Sequence, residues 1–235
     1  VLDGYGATAP LASRIAIHAY GTNPVSWFAF VRARLPAAEA VVEAGAGTGA
    51  LWAGAQRPER LVLTDSSAAM CVTQRAAGHA SVRARAERLP FAAGTFDGAL
   101  ANHVLYHLPD PRAGLAELHR VVRPGGWVAV ATNGGGHMGE VSDLAVAAGL
   151  PRADVHERFP AESAAEAVAE WFGDVEVHRY DDTLAVPDAG PVVAYVASLT
   201  PAGLTAEQEA AVRAGVRETP FRVHKHTVLV TARKP

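Results

Sequence analysis

The chain has 235 residues, 49% hydrophobic and 19% charged, which suits one large α/β domain with a filled core and excludes a disordered chain. Its formal net charge is −3 and lysine occurs only at Lys225 and Lys234, so the sequence offers no basic footprint for a nucleic-acid backbone. A single cysteine, Cys71, forms no internal disulfide, and no apolar run is long enough to cross a bilayer. The cytoplasm is therefore the expected compartment, with neither membrane nor nucleic acid expected as a partner.

Taken in chain order, an N-terminal helical segment (1–39) is expected to form a cap, ahead of a core over 40–132. In that core the apolar runs Ala40 to Ala44, Arg60 to Thr64, Ser81 to Ala84, Phe96 to Ala101 and Gly126 to Ala131 read as strands. Thr48 to Gln56, Ser67 to Ala77 and Pro111 to Val122 carry helical apolar spacing between them. Strands alternating with helices predict a parallel sheet with helices on both faces, hence an α/β fold. Pro124-Gly125-Gly126 is a turn signal ending the last of those helices. Beyond residue 133, Val175 to Tyr180 and Phe221 to Val230 alternate with period two, as strands with one polar face do. Helical stretches at Pro191 to Leu199 and Thr205 to Glu218 fall between them, so 133–235 reads as a substrate-side cap with closing strands of the same single domain.

The strongest chemical signal is Val41-Val-Glu-Ala-Gly-Ala-Gly-Thr-Gly-Ala50, an apolar strand running into glycines that open a helix. Glycines there permit positive φ and close backbone approach to a ligand, and the helix N-terminus is expected to supply free N–H groups. The pattern also satisfies the dinucleotide fingerprint, and Asp65 follows Gly45 by about 20 residues, where a ribose-binding acid stands in either case. Asp65 ends an apolar strand, so its carboxylate emerges at the ligand-binding edge of such a sheet.

Several stretches, in order, make the sequence resemble the class I S-adenosylmethionine (SAM)-dependent methyltransferases, in the small-molecule branch of the quinone-biosynthesis enzymes. They are Glu43-Ala-Gly-Ala-Gly-Thr-Gly49, Leu63-Thr-Asp-Ser-Ser-Ala-Ala-Met70, Ala86-Glu-Arg-Leu-Pro-Phe91, Phe96 to Leu108, and Leu118-His-Arg-Val-Val-Arg-Pro-Gly-Gly126. The resemblance implies a Rossmann-like sheet of about seven strands, mostly parallel with an antiparallel last strand and a helical cap. It implies SAM as cofactor, with S-adenosylhomocysteine as product, and a small, partly apolar or aromatic secondary metabolite methylated at oxygen or nitrogen. Carried over residue by residue, Glu43, Gly45, Gly47 and Gly49 hold the methionine part and Asp65 the ribose. Ser66 and Met70 flank the adenosine, Ala86 and Glu87 border the adenine, and Asn102 faces the methionine portion. Tyr20 lies in an N-terminal stretch, His18 to Phe28, that resembles the family's first segment and suits a lid on the methionine carboxylate. The family often has an acid just before the Ala-Glu pair, bonding the adenine amino group; here Arg85 stands there and offers no acceptor.

Methyl transfer from a sulfonium is an in-line displacement whose main demands are alignment and exclusion of water. A base helps where the acceptor bears a proton, and histidine suits that work. His103, following Asn102 at the sheet's ligand edge, is the first candidate; His18 and His137 come second, and Tyr106 is placed on the substrate side. His103 and His107 share a zinc-like spacing, but no third ligand is evident and no metal is expected. Two rivals stay open at this point. A nicotinamide-dependent oxidoreductase shares the loop and the acid but lacks a Tyr-x-x-x-Lys pair here, and a protein of the same fold could run a non-methylating reaction such as a cyclisation.

Overall fold

Continuous apolar runs suit strands buried on both faces, and in the computed structural model, which describes residues 13–152, 156–200 and 202–235, they form the centre of a seven-stranded sheet. In chain order the elements are α1 (Trp27–Arg32), β1 (Ala40–Ala44), β2 (Arg60–Asp65), α2 (Ala68–Ala76), β3 (Ala80–Arg83), β4 (Phe96–Asn102), α3 (Pro111–Val121) and β5 (Val122–Asn133). They continue with α4 (Gly139–Ala147), α5 (Ala161–Ala169), β6 (Gly173–Val186), α6 (Ala189–Ser198), α7 (Ala206–Gly215) and β7 (Phe221–Arg233). The strand order is β3-β2-β1-β4-β5-β7-β6. Neighbours from β3 to β5 pair in parallel and β7 lies antiparallel to β5, the mostly parallel Rossmann-like arrangement expected from the sequence.

The described residues form two compact units. Of the described residues, the larger draws on 27–135, 156–180 and 227–235, the smaller on 13–26, 136–152, 181–200 and 202–226. In the larger unit the sheet is covered on both faces. Leu115, Leu118 and Val121 of α3 and Ala164 and Val168 of α5 pack on Val42, Ala99, Val128 and Val230. On the opposite face Phe30 and Val31 of α1, with Leu51 and Trp52, pack on Val41, Leu63, Leu100, Ala129 and Leu229. The smaller unit has its own core of Ile17, Met138, Val141, Leu184, Val192, Val196, Val212 and Val223. There the buried carboxylate of Asp182 accepts the backbone N–H groups of Thr22 and Asn23 and meets Lys225 Nζ at 3.0 Å. A buried ion pair survives only when such additional bonds satisfy it.

Caps follow the sequence. The Ser67 side chain accepts from Met70 N to start α2, and Asp110 accepts from Arg112 N to start α3, with Pro111 in its first turn. Thr205 and Gln208 form a reciprocal capping box at α7.

Three expectations change. Thr48 to Gln56 is not an α-helix; only Ala50–Trp52 makes a 3-10 turn, because Gly49 and Gly54 adopt positive φ on either side and Pro58 follows. The Pro124–Gly126 turn is realised inside β5 as a bulge: Phe96 pairs with Val122 but Gly98 with Trp127. The two closing strands run longer than their alternating cores, and α4 and α5 occupy a stretch in which the sequence analysis assigns no helix. Among the described residues no helix is long and apolar enough to cross a membrane.

Candidate cofactor site

The strand order reverses between β1 and β4, and in open parallel sheets ligands bind in the crevice beyond the strand ends at such a switch point. The loops leaving these strands meet there. Gly45, Gly47 and Gly49 have φ of 66°, 56° and 79°, a left-handed path that other residues adopt at a cost. A Cβ on Gly45 would lie 2.3 Å from Val104 Cγ2, in the turn after β4, so the two loops touch only because residue 45 has no side chain.

The glycine loop is held from both sides. Asp65, at the end of β2, accepts Gly47 N–H through Oδ2 at 2.9 Å and Ser67 N–H through Oδ1 at 2.9 Å. Partial burial raises the Asp65 carboxyl above its ordinary range, and these backbone bonds oppose the rise. The amide of Gln74, fully buried on α2, donates to Gly47 O at 2.7 Å and its Oε1 accepts from Ser81 Oγ at 2.6 Å. Both backbone groups of Gly47 are thus spoken for, and the loop is set without an α-helix behind it. The N–H groups expected from a helix N-terminus are those of the loop itself.

Glu43 is enclosed, 2% exposed, and its Oε2 accepts from Trp52 Nε1 at 2.6 Å. Desolvation pushes its carboxyl up to about 8, against the pull of the Trp52 bond and with a further push from Asp65. Ser66 is exposed, and its carbonyl accepts from Arg83 Nε; Met70 and Ala86 are buried. Arg85 turns to Glu87, its Nε donating to Oε1 at 2.6 Å.

At the ends of β4 and β5 lies a second, polar group. Asn102 Oδ1 accepts from Trp27 Nε1 at 3.1 Å. His103 adopts φ 59°, its N–H donates to Ala131 O, and its ring lies 5.3 Å from Trp27 and 6.2 Å from Tyr106. Tyr106, buried in the 3-10 turn Leu105–His107, meets the His156 ring edge-on at 4.5 Å. Asn133, which ends β5, accepts from Thr227 Oγ1 at 2.9 Å, and its Nδ2 faces His156 Nε2 at 3.4 Å. With the amide oriented by Thr227, Nε2 is the acceptor and the imidazole proton sits on Nδ1. Burial pushes His156 down to about 4, which keeps the ring neutral.

Tyr20, His18 and His137 belong to the smaller unit. Tyr20 and His18 share the 3-10 turn Ile17–Tyr20, where His18 is exposed, and His137 Nδ1 accepts from His226 N at 3.1 Å. Among the described residues no three histidine, cysteine or acidic side chains are arranged to hold a metal ion.

Sequence reasoning missed Gln74, His156, Asn133 and Thr227. Asn133 was open to discovery, since it ends a strand at the same edge as Asn102; an expected β5 end at Ala131 hid it. Gln74 stands one helical turn beyond Met70, a polar residue on a buried face. Nothing in the loop around His156 distinguishes it by pattern.

Residues 42–130 match a family model described as "Methyltransferase domain". Malonyl-[acyl-carrier protein] O-methyltransferase of Pseudescherichia vulneris is 34% identical over 62% of this chain and 60% of its own length. Demethylmenaquinone methyltransferase of Corynebacterium kroppenstedtii is 39% identical over 39% of this chain and 41% of its own. The chain spans less than two thirds of the length of the curated relatives it matches. Among solved structures, a SAM-dependent methyltransferase of Thermotoga maritima, described as a possible histamine N-methyltransferase, superposes with a TM-score of 0.59 at 17% identity. That superposition covers 96% of this chain and 92% of the other, a likeness of fold.

Proposed function

We propose that this chain is a class I SAM-dependent methyltransferase, a reading supported by the methyltransferase-domain match over residues 42–130, and that it moves the cofactor's methyl group onto an oxygen, or in second place a nitrogen, of a small, partly apolar secondary metabolite. The observation that carries this reading is the Asp65–Gly47 bond, which joins the acid after β2 to the glycine loop after β1 beside the switch point. The residues there suit the cofactor. The Asp65 carboxylate, partly exposed at the strand end, keeps acceptor capacity for the ribose beyond its backbone bonds. Buried Met70 and Ala86 give apolar surfaces for a base, and the left-handed glycines let backbone approach the methionine portion. When bound, SAM supplies a methyl group already activated by a sulfonium.

What the chain adds is alignment and dryness, worth roughly 7–11 kcal/mol of barrier when the geometry is right. Asn102, fixed by Trp27, orients the methionine end. His103 takes a proton from the acceptor, and Tyr106, backed by neutral His156, orients the acceptor. The preference for oxygen draws on the O-methyltransferase relative, and an apolar acceptor ring on the demethylmenaquinone relative.

The test is calorimetric titration of the full chain with S-adenosylhomocysteine, followed by incubation with SAM and a panel of hydroxylated aromatics. Binding, and a product one methylene heavier, is the expected result. Failure to bind either SAM or S-adenosylhomocysteine ends the proposal.

A further inference from the structure

We propose that the chain pairs with a second copy of itself through the outer edge of β6, the two strands running antiparallel about a two-fold axis at Val177. β6 is the last strand of the sheet, with β7 on its inner side. Its outer side is covered in one stretch only. Gly21 forms an antiparallel bridge with Leu184, Thr22 N–H donates to Thr183 O at 3.0 Å, and Asn23 Nδ2 donates to Asp181 O at 2.8 Å. These bonds fix the parity of the strand. Alternate residues turn their peptide groups the same way, so with Asp181 and Thr183 facing outward, Val175, Val177 and Arg179 face outward too. Among the described residues no strand or bridge lies along these three. Such an edge is a template for another strand unless its side chains forbid it.

The residues of the free stretch select the occupant and its register. Like charges directly across a strand pair are destabilising. An axis at Glu176 opposes two carboxylates, one at Val175 opposes Asp174 to Glu176, and one at Arg179 opposes two guanidinium groups. An axis at His178 runs the pairing into Asp181, whose outward carbonyl is already taken by Asn23. At Val177 no like charges meet: Glu176 faces His178 of the second copy, and Val175 faces Arg179. Val177 itself is a large apolar side chain left 46% exposed, and on the axis it packs against its own counterpart. Glu176, with 73% of its side chain exposed, and His178 line a cavity of about 650 Å³, so their face is open beside the edge. The three facing pairs, 175 with 179, 177 with 177 and 179 with 175, supply about six backbone hydrogen bonds. So short an isologous contact is small for a stable interface, and the dimer should dissociate at roughly 10–100 μM.

The experiment is sedimentation velocity on the full chain from about 1 to 500 μM, a range that brackets this affinity. The unmodified chain is expected to pass from monomer to dimer across it. Val177→Glu and Val177→Lys should each weaken association about tenfold or more, because identical charges then meet on the axis. An equimolar mixture of the two should regain it, with circular dichroism and thermal melts reporting the fold of each. Damage to the fold would not be cancelled by mixing, so recovery reports residue 177 facing its own counterpart. Facing Cα atoms in a hydrogen-bonded antiparallel pair lie about 5.5 Å apart, within disulfide reach. Val177→Cys should therefore cross-link under mild oxidation, whereas Val146→Cys, similarly exposed on α4, should not; the native Cys71 is buried. A chain that stays monomeric throughout, a dimer indifferent to residue 177, or equal cross-linking of both cysteine variants overturns the inference. The methyltransferase reading is untouched by any of these results.

Discussion

Gly45 and Val104 meet across the gap between β1 and β4, so closely that one added carbon on the glycine would lie 2.3 Å from the valine Cγ2. Gly45→Ala combines this clash with a φ of 66°, while Gly54→Ala meets a similar φ of 63° but open space. The difference isolates packing from backbone strain. Both should be destabilised by about 1–2 kcal/mol from the left-handed backbone, and Gly45→Ala by roughly a further 1–3 kcal/mol from overpacking. Paired thermal melts check this; equal losses would show that the two loops have room to separate.

Asp65 should matter twice, as a ligand for ribose and as an anchor for the loop. Asp65→Ala is expected to weaken S-adenosylhomocysteine by about 100-fold or more, two hydrogen bonds to a charged acceptor being lost. Asp65→Asn keeps one acceptor and should lose roughly tenfold. Calorimetry separates the two, and an alanine variant binding as tightly as the unmodified chain would remove Asp65 from the site.

Glu43 makes stability depend on pH in an unusual direction for an acid. Its carboxyl titrates at about 8 in the folded chain against an ordinary value of 4.5, so between those values the unfolded chain loses the proton first. Stability from this group therefore falls as pH rises through that window. Glu43→Gln preserves an acceptor for Trp52 and removes the titration. It should raise stability by about 2 kcal/mol near pH 8, or roughly 4–8 °C, and by little near pH 4. An equal shift at both pH values would contradict the raised carboxyl.

His156 is expected to stay neutral, with its proton on Nδ1, until the pH nears 4. Since the unfolded chain takes up a proton from 6.5 downward, this group's contribution to stability is intact above 6.5 and is lost as pH falls toward 4. Asn133→Asp places a carboxylate against Nε2, which should move the proton there and raise the imidazole by about one unit or more. Nitrogen-15 spectra of labelled histidine read both the tautomer and the midpoint. A variant titrating like the unmodified chain would mean that Asn133 does not set the ring.

Much of this was legible from residue order. β1 is buried along its whole length, and Ala40 to Ala44 is apolar but for Glu43, so pattern alone located it to the residue. Ser67 and Asp110 announced α2 and α3 because a cap is a local device, read within three residues. The helix expected after the glycine loop failed for the complementary reason. Its apolar spacing is genuine, since Leu51 and Trp52 are buried, but the left-handed glycines bounding it act on the backbone, which apolar spacing does not report. The polar group at the end of β5 was hidden further still. Asn133 and Thr227 are brought together by the pairing of β5 with β7, a relation between residues 94 apart that no local window contains, and His156 meets Asn133 from a turn outside both strands.

His103 holds a left-handed backbone, φ 59°, with a full side chain where glycine would rest without strain. Replacing it by glycine should therefore strengthen the fold by about 1 kcal/mol, whereas alanine should keep the strain. A chain selected for durability alone would have drifted to glycine here. On the proposed mechanism the imidazole is kept for the reaction, so the glycine variant is expected to hold its fold, less what the ring contacts with Trp27 and Tyr106 contribute, and to turn over more slowly.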